Sequence, residues 1–252
     1  MISRLKLFYV VDSCEDYNVY ELVVREVGMR QDITGILKEW SFDPEANVRK
    51  IAGEDGVEKI QVRVDQGAFQ GILQLNLDGR PDGRRPHDRD FAFDHYSGSL
   101  EDYRGKHEAD DKGFLLSEEA CKELFDEGAR ISERYAFLLQ LKDYPRVVRD
   151  TERNMKLFRF VNRYAERQAD RENLEKWWPY VLRINGMAKA LIAADGEDYD
   201  RALETVSQAR ERINNHLGPA SADPLPNDEA PALASKRGKG RGFVVATTST
   251  SS

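Results

Sequence analysis

The segment Leu77–Asp88 constrains the fold of this chain most, because it cannot belong to a regular helix or strand. It holds two Asp-Gly turns and two prolines. Glycine favours positive φ in such turns, and proline has no N–H group to offer a neighbouring strand or helical turn. Apolar residues alternate before the segment and recur at helical spacing after it. The segment therefore predicts a joint between a small α/β unit and a helical half.

The N-terminal unit combines helical and alternating patterns. Apolar residues at spacings of three and four predict short helices at about 16–27 and 31–39. Within the strand predicted at 59–65, Ile60, Val62 and Val64 point one way, whereas Lys59, Gln61 and Arg63 point the other. Successive strands with short turns predict an antiparallel meander with one face on helices and one in water. The three predicted strands are 48–51, 59–65 and 71–77.

The C-terminal half reads as helix. Ser117 followed by two glutamates is a helix start, because its hydroxyl can accept free N–H groups. Four helices follow with helical apolar stripes, and Pro179 is expected to kink the third. The acidic, glycine-containing stretch 97–113 is predicted to be a loop. The predicted helices are 117–142, 145–164, 170–195 and 197–216.

These patterns predict an α+β fold, with a three-stranded antiparallel meander followed by a four-helix array of hairpins. The chain has 252 residues, enough for one large domain or two small ones. The predicted division is an α/β unit at 1–90, a linking segment at 91–116, a helical-hairpin domain at 117–217 and a disordered tail at 218–252.

Two helical corners repeat one pattern, in which an apolar helix end is followed by Asp-Tyr, one residue, Arg and two apolar residues. Leu138–Val148 aligns with Leu191–Leu203 if two residues are inserted. Tyr144 and Tyr199 are expected to pack across both helices of their hairpins. Stacking two such pairs buries surface that one pair cannot.

The second copy, from Ala190 to Ile213, resembles the UVR motif, the helical hairpin of bacterial excision-repair proteins, and also half of a tetratricopeptide (TPR) repeat. Over roughly residues 17–217, the order of segments is similar to that of bacterial proteins that carry a UVR-domain label. This resemblance implies a shared fold and no assigned chemistry.

The composition limits the partners and the compartment. The net charge of −7 argues against affinity of the whole protein for nucleic acid or an anionic membrane, although local basic patches can override it. Cys14 and Cys121 lie far apart without metal-ligand or redox spacing, which favours a reducing cytosol. The apolar run Leu7–Val11 is too short for a signal peptide, and no window approaches the roughly 20 residues of a membrane span. We expect a cytoplasmic protein.

The joint is the first candidate site. Arg80, Arg84, Arg85 and His87 could form an anion pocket, with the glycines letting backbone N–H groups approach. The alternative, which we favour, is a structural clamp of those arginines on Asp78, Asp82 and Asp88, because ion-pair networks imitate sites. A polar loop is favoured over a metal site for the set His87, Asp94, His95 and His107, whose spacing matches no ligand pattern.

Aromatic residues and the tail provide further candidates. Trp177 and Trp178 could bind a partner or stack on bases, although core packing of at least one is favoured. Interleaved acids make the arginine-rich stretch 146–171 a salt-bridged face rather than a nucleic-acid footprint. With Tyr144 and Tyr199, the tryptophans form the candidate partner-binding set. Salt-sensitive contact with nucleic acid is predicted for the tail residues Lys236, Arg237, Lys239 and Arg241.

Three functional hypotheses follow. The first is a non-enzymatic cytoplasmic module that binds another protein through helical hairpins, without metal or cofactor, because no cofactor loop or nucleophile–base pair can be identified. The second is binding of nucleic acid or a phosphorylated ligand through the Arg80–Arg85 loop and the basic tail. The third is an enzyme built around Arg84, Arg85, His87 and His95.

Overall fold

The computed structural model describes residues 32–217. The helix predicted at 16–27 and the tail predicted at 218–252 lie outside these residues. The α+β class is confirmed, since a three-stranded sheet is followed by helices. Short 3-10 turns occur at Pro86–Asp88 and Glu175–Trp177. The elements are α1 (Thr34–Glu39), β1 (Val48–Ala52), β2 (Glu58–Gln66), β3 (Phe69–Asn76), α2 (Ala92–Lys106), α3 (Glu118–Gln140), α4 (Tyr144–Tyr164), α5 (Gln168–Asn173), α6 (Trp178–Asp195) and α7 (Tyr199–Leu217).

The sheet is the predicted antiparallel meander, in the order β1-β2-β3. Ile60 and Val62 are fully buried on its inner face. The prediction that Arg63 faces water is wrong: this side chain is only 3% exposed. Its guanidinium donates to the carbonyl oxygens of Trp40 (3.3 Å) and Gly71 (3.3 Å), so backbone acceptors replace water at this position.

Helix α2 corrects the loop prediction for 97–113, because the helix Ala92–Lys106 runs through much of that stretch. The N-cap residue of α2, Phe91, has no side-chain acceptor for the first N–H groups of the helix. The Glu127 carboxylate of α3 accepts from Ala92 N (2.6 Å) and Phe93 N (3.1 Å) instead. Burial raises the pKa of Glu127, although these two N–H groups oppose the rise. The cap comes from a residue distant in sequence, which local composition cannot show.

The sheet and the helices share a core. Ile60, Val62 and Leu77 from the sheet side belong to one buried cluster with residues of α3, α4 and α6. A second cluster joins α2, α3, α4 and α6 around Leu124 and Phe158. Among residues 32–217, no helix is long and apolar enough to cross a membrane. The division of the chain into separate units stays a prediction.

The start of the third predicted helix also needs correction. The sequence predicts one helix from residue 170 with a kink at Pro179. The structure has the short helix α5, the turn Glu175–Trp177 and a new helix that begins at Trp178. Pro179 therefore lies in the first turn of α6, where its missing N–H group has no helical partner to lose. The predicted helix start at Ser117 is present, since its side chain accepts from Ala120 N.

The two hairpin corners have the same hydrogen-bond geometry. The residue before each corner Asp has positive φ: 57° at Lys142 and 59° at Glu197. The corner N–H groups donate back into the preceding helices, from Asp143 to the Leu138 carbonyl and from Asp198 to the Ala193 carbonyl, both at 2.9 Å. Each Asp carboxylate then caps the following helix, accepting from Arg146 N at 3.3 Å and from Arg201 N at 3.1 Å.

These bonds correct the alignment of the two copies. Leu138 corresponds to Ala193 and not to Leu191, and no residue is inserted between the copies. The expected roles of the two tyrosines also differ. Tyr144 is half-buried against the core, whereas Tyr199 is 64% exposed, so it does not pack across its hairpin as predicted.

Candidate functional site

Arg80 anchors the joint in the interior. Its side chain is 6% exposed. Its guanidinium lies 2.9 Å from Asp82, 3.1 Å from Asp126 and 3.6 Å from Glu127. Arg130 extends the network, 2.9 Å from Asp126 and 3.4 Å from Asp82. Because three carboxylates surround Arg80, its guanidinium holds the joint against α3 rather than facing a ligand.

Arg84 and Arg85 are the exposed members of the joint. The backbone N–H of Arg84 donates to Asp82 Oδ1 (3.2 Å), while its guanidinium has no ion pair among residues 32–217. Arg85 lies 3.4 Å from Asp90, and both side chains are well exposed. The predicted clamp therefore forms through Arg80. Anion binding by Arg84 and Arg85 stays a prediction.

His87 lies beside the joint in a cluster of polar rings. Its ring stacks on His95 with centroids 3.9 Å apart, and its Nε2 is 2.9 Å from Glu123 Oε2. Tyr96 Oη donates to the same oxygen at 2.8 Å. Burial raises the pKa of Glu123, but hydrogen bonds from His87 and Tyr96 outweigh it and bring the pKa below its usual value. Burial, and then the charge of His87, lower the pKa of His95.

The other polar residues considered for a metal lie elsewhere. Asp94 pairs with Arg153 at 3.0 Å, and His107 stacks on Tyr103. In the described part of the chain, no group of three or more His, Cys, Asp or Glu side chains could hold a metal ion. Asp78, a predicted partner of the joint arginines, contacts Arg149 instead.

Trp178 packs in the core, and Trp177 is half-buried beside it. The Trp178 ring meets Phe158 edge to face at 5.6 Å. The Arg159 guanidinium lies over the Trp178 ring, 5.1 Å from the ring centroid. With Arg159 on one face, Trp178 is not an open platform for a base. The tail residues 236–241 lie outside the described residues.

The sequence prediction missed an apolar groove between α6 and α7. It has a volume of about 550 Å³. The two helices approach closely at Gly186, where an added Cβ would come within 2.3 Å of Ala209 Cβ. We call this feature the α6–α7 groove. Its main apolar residues are Met187, Ala190 and Leu191 from α6 and Leu203, Val206 and Ile213 from α7.

The α6–α7 groove exposes apolar side chains of a kind that is usually buried. Leu203 is 71% exposed and Val206 is 52% exposed. The sequence contains the signal, since the apolar stripe of α7 is as regular as those of the other helices. That stripe predicts a buried face. The stripe cannot show whether another element covers the outer side of α7, and among the described residues none does.

A second, polar cleft lies where α4, α6 and α7 meet. It has a volume of about 460 Å³. Positions three and four apart on a helix share a face, so each helix presents one face to the cleft. We call it the Trp178 cleft. Besides Glu175, it is lined by Arg159 and Asn162 of α4, Trp178 and Leu182 of α6, and Arg212, Asn215 and His216 of α7.

In comparisons with protein-family models, curated proteins and solved structures, no match to this chain was found. The resemblance to UVR and TPR hairpins therefore stays a prediction. The shared geometry of the two corners supports an internal repeat without assigning it to a family.

Proposed function

We propose that this protein is a non-enzymatic cytoplasmic adaptor that binds another protein in the α6–α7 groove. The observation that carries the proposal is the exposure of Leu203 and Val206 above an apolar groove of about 550 Å³. Contiguous apolar surface of this kind marks interaction sites in soluble proteins, because each square ångström removed from water contributes roughly 25 cal/mol.

The partner that fits is an amphipathic helix. A groove between two helices accepts apolar side chains at spacings of three, four and seven residues along a third helix. Arg183 and Arg210 line the groove beside its apolar residues. We therefore expect acidic residues to flank the apolar stripe of the bound helix.

The buried thiol of Cys121 is compatible with the proposed compartment. Cys121 is fully buried and forms no disulfide within residues 32–217. Burial, and then the charge of Asp170, raise the pKa of this thiol to about 11. Such a cysteine is an inert core residue that a reducing cytosol leaves unchanged.

The test is quantitative capture of a partner by the full chain and by Leu203→Asp. The substitution places a charge in the groove without removing any core contact, because Leu203 is 71% exposed. Leu115→Asp is the matched control, since Leu115 is 54% exposed and lies outside the groove. We expect one stoichiometric partner to be retained by the wild type and by Leu115→Asp and lost by Leu203→Asp.

Two further measurements identify the occupant. Sedimentation velocity at several concentrations would detect a dimer of this chain. If Leu203→Asp dissociates that dimer, the occupant of the groove is a second copy of the chain and not a different protein. A chain ending at Leu217 would gain a partner if residues 218–252 covered the groove. A partner retained equally by all variants would overturn the proposal.

A further inference from the structure

The Trp178 cleft has the chemistry of an anion site, independently of the α6–α7 groove. Its lining shares no residue with that of the groove. A volume of about 460 Å³ is large enough for a small molecule. The lining is mainly polar, so recognition there depends on charge and hydrogen bonds.

Two guanidinium groups dominate the cleft. Among residues 32–217, neither Arg159 nor Arg212 has a carboxylate within ion-pair distance, whereas Arg80, Arg134 and Arg167 are each held by carboxylates. Arg159 rests on the Trp178 ring, and Arg212 Nη2 lies 3.9 Å from Met155 Sδ. Within the described part of the chain, both groups therefore keep N–H donors without an acceptor, and paired donors of this kind bind oxyanions.

Packing limits the freedom of one of these groups. Trp178 is held in the core by Phe158, so the ring that supports Arg159 is fixed. A cation over an aromatic face is positioned without neutralisation of its charge. On α7, Asn215 lies three residues after Arg212 and adds an amide to the same face.

Glu175 is the opposing charge in the cleft. Its Oε1 accepts from Asn162 Nδ2 at 2.8 Å, and its Oε2 lies 3.6 Å from His216 Nε2. These contacts hold the carboxylate on the side of Asn162 and His216. The two arginines remain for the ligand, and the charge of Glu175 weakens the binding of any anion beside them.

We propose that the Trp178 cleft binds a small organic anion through a phosphate or carboxylate group held by Arg159 and Arg212. Phosphate and carboxylate groups both present oxygen atoms in a geometry that accepts paired N–H donors. Titrations with inorganic phosphate and with succinate distinguish the two sources, because each probe carries only one of these groups.

The experiment is isothermal titration calorimetry of the full chain with each probe at constant ionic strength. We expect one site with a Kd on the order of 1 mM for at least one probe, because so small an anion makes few contacts. Arg212→Ala and Arg159→Ala should weaken binding about tenfold or more through lost charge-assisted hydrogen bonds. Arg212→Lys should restore part of the affinity, because it keeps the charge and loses the fork.

Two controls separate a built site from diffuse charge. Arg201→Ala removes an exposed arginine of the same helix outside the cleft and should leave the Kd unchanged. Glu175→Gln should tighten binding about threefold, since it removes a nearby negative charge. Circular dichroism and urea midpoints establish that each variant is folded. Binding of neither probe, or equal weakening by Arg201→Ala and Arg212→Ala, would overturn the proposal.

Discussion

The hairpin of α3 and α4 and the hairpin of α6 and α7 turn with the same hydrogen bonds, yet their apolar faces end in different surroundings. Thr151 of α4 is fully buried, whereas the corresponding Val206 of α7 is 52% exposed. The first hairpin is covered by the sheet on one side and by α6 on another. In the second hairpin, α6 packs on α4 while α7 keeps its outer apolar residues in water.

Polar residues follow the same division. Arg134 of the first hairpin is 1% exposed and binds both oxygens of Asp150, at 2.7 and 2.9 Å, and the carbonyl of Gly79. Lys189, at the corresponding position of α6, forms an exposed pair with Glu152. The same corner geometry thus occurs in a buried hairpin, α3 and α4, and in a hairpin with an exposed apolar face, α6 and α7.

The largest expected effect is at this pair of positions. Arg134→Ala leaves the Asp150 carboxylate buried with one partner fewer and should lower the free energy of unfolding by about 3–5 kcal/mol. Lys189→Ala, the matched change in the second hairpin, should cost below about 1 kcal/mol because its ion pair is in water. Urea unfolding of both variants measures the difference. Equal losses would show that the hairpins do not differ in this way.

The leucines give the next largest contrast. Leu138 is fully buried, so Leu138→Ala should lower the free energy of unfolding by about 2–5 kcal/mol. Leu203→Ala should change it by below about 0.5 kcal/mol, because the side chain is already in water. Thermal and urea unfolding check both values. A loss above about 1.5 kcal/mol for Leu203→Ala would mean that the groove is covered within the folded chain.

Two helical glycines sharpen the comparison of helix spacing. A Cβ at Gly186 would meet Ala209 Cβ at 2.3 Å, so Gly186→Ala must push α6 and α7 apart and should cost about 1–3 kcal/mol. A Cβ at Gly128 meets nothing nearer than 3.8 Å. Gly128→Ala should therefore be neutral or stabilise the protein by up to about 1 kcal/mol, because alanine favours the helix. Unfolding midpoints of the two variants check both values, and a loss for Gly128→Ala as large as that for Gly186→Ala would contradict the comparison.

The corner aspartates give the smallest effect. Asn caps helices as well as Asp, so Asp198→Asn should leave stability unchanged. Asp143 also binds Lys50 at 2.5 Å and Arg146 at 2.9 Å. Asp143→Asn should therefore cost about 0.5–1 kcal/mol at pH 7, when discounted for the partial exposure of both partners. Loss of stability in Asp198→Asn alone would contradict this assignment.

The effect of Asp143→Asn on the free energy of unfolding should depend on pH. Burial raises the pKa of Asp143, but hydrogen bonds from Lys50 and Arg146 outweigh it and hold the pKa below its ordinary value. A lowered folded-state pKa contributes stability above the unfolded pKa of about 3.9, and this contribution is lost as pH falls through the folded pKa. The difference between wild type and Asp143→Asn should be constant from about pH 7 to 5 and shrink below about pH 4. A difference that grows on acidification would refute this assignment.

Local patterns predicted much of the fold. The strands at 48–51, 59–65 and 71–77 are present within about two residues, and Ser117 starts its helix as predicted. The Asp-Tyr corners predicted two similar turns, which share their hydrogen bonds. Helix α2 was missed because its cap is the Glu127 carboxylate, which lies in a different helix.

The candidate sites depended more on the third dimension. The joint was identifiable from its turns and charges, and its clamp forms through Arg80 and not through every arginine of the segment. The α6–α7 groove and the Trp178 cleft were missed. No local signal distinguishes the covered stripe of α4 from the open stripe of α7, or the paired Arg134 from Arg212, which has no ion pair among residues 32–217.

The sequence by itself determined periodicity, turns and the caps that a helix's own N-cap residue supplies, because these depend on residues within about four positions of each other. Tertiary structure alone decided which faces are covered and which charges are neutralised. Those outcomes depend on contacts such as that between Arg134 and the Gly79 carbonyl, which joins α3 to the Leu77–Asp88 joint. The joint thus brings the sheet onto the first hairpin, and the second hairpin keeps an open apolar face.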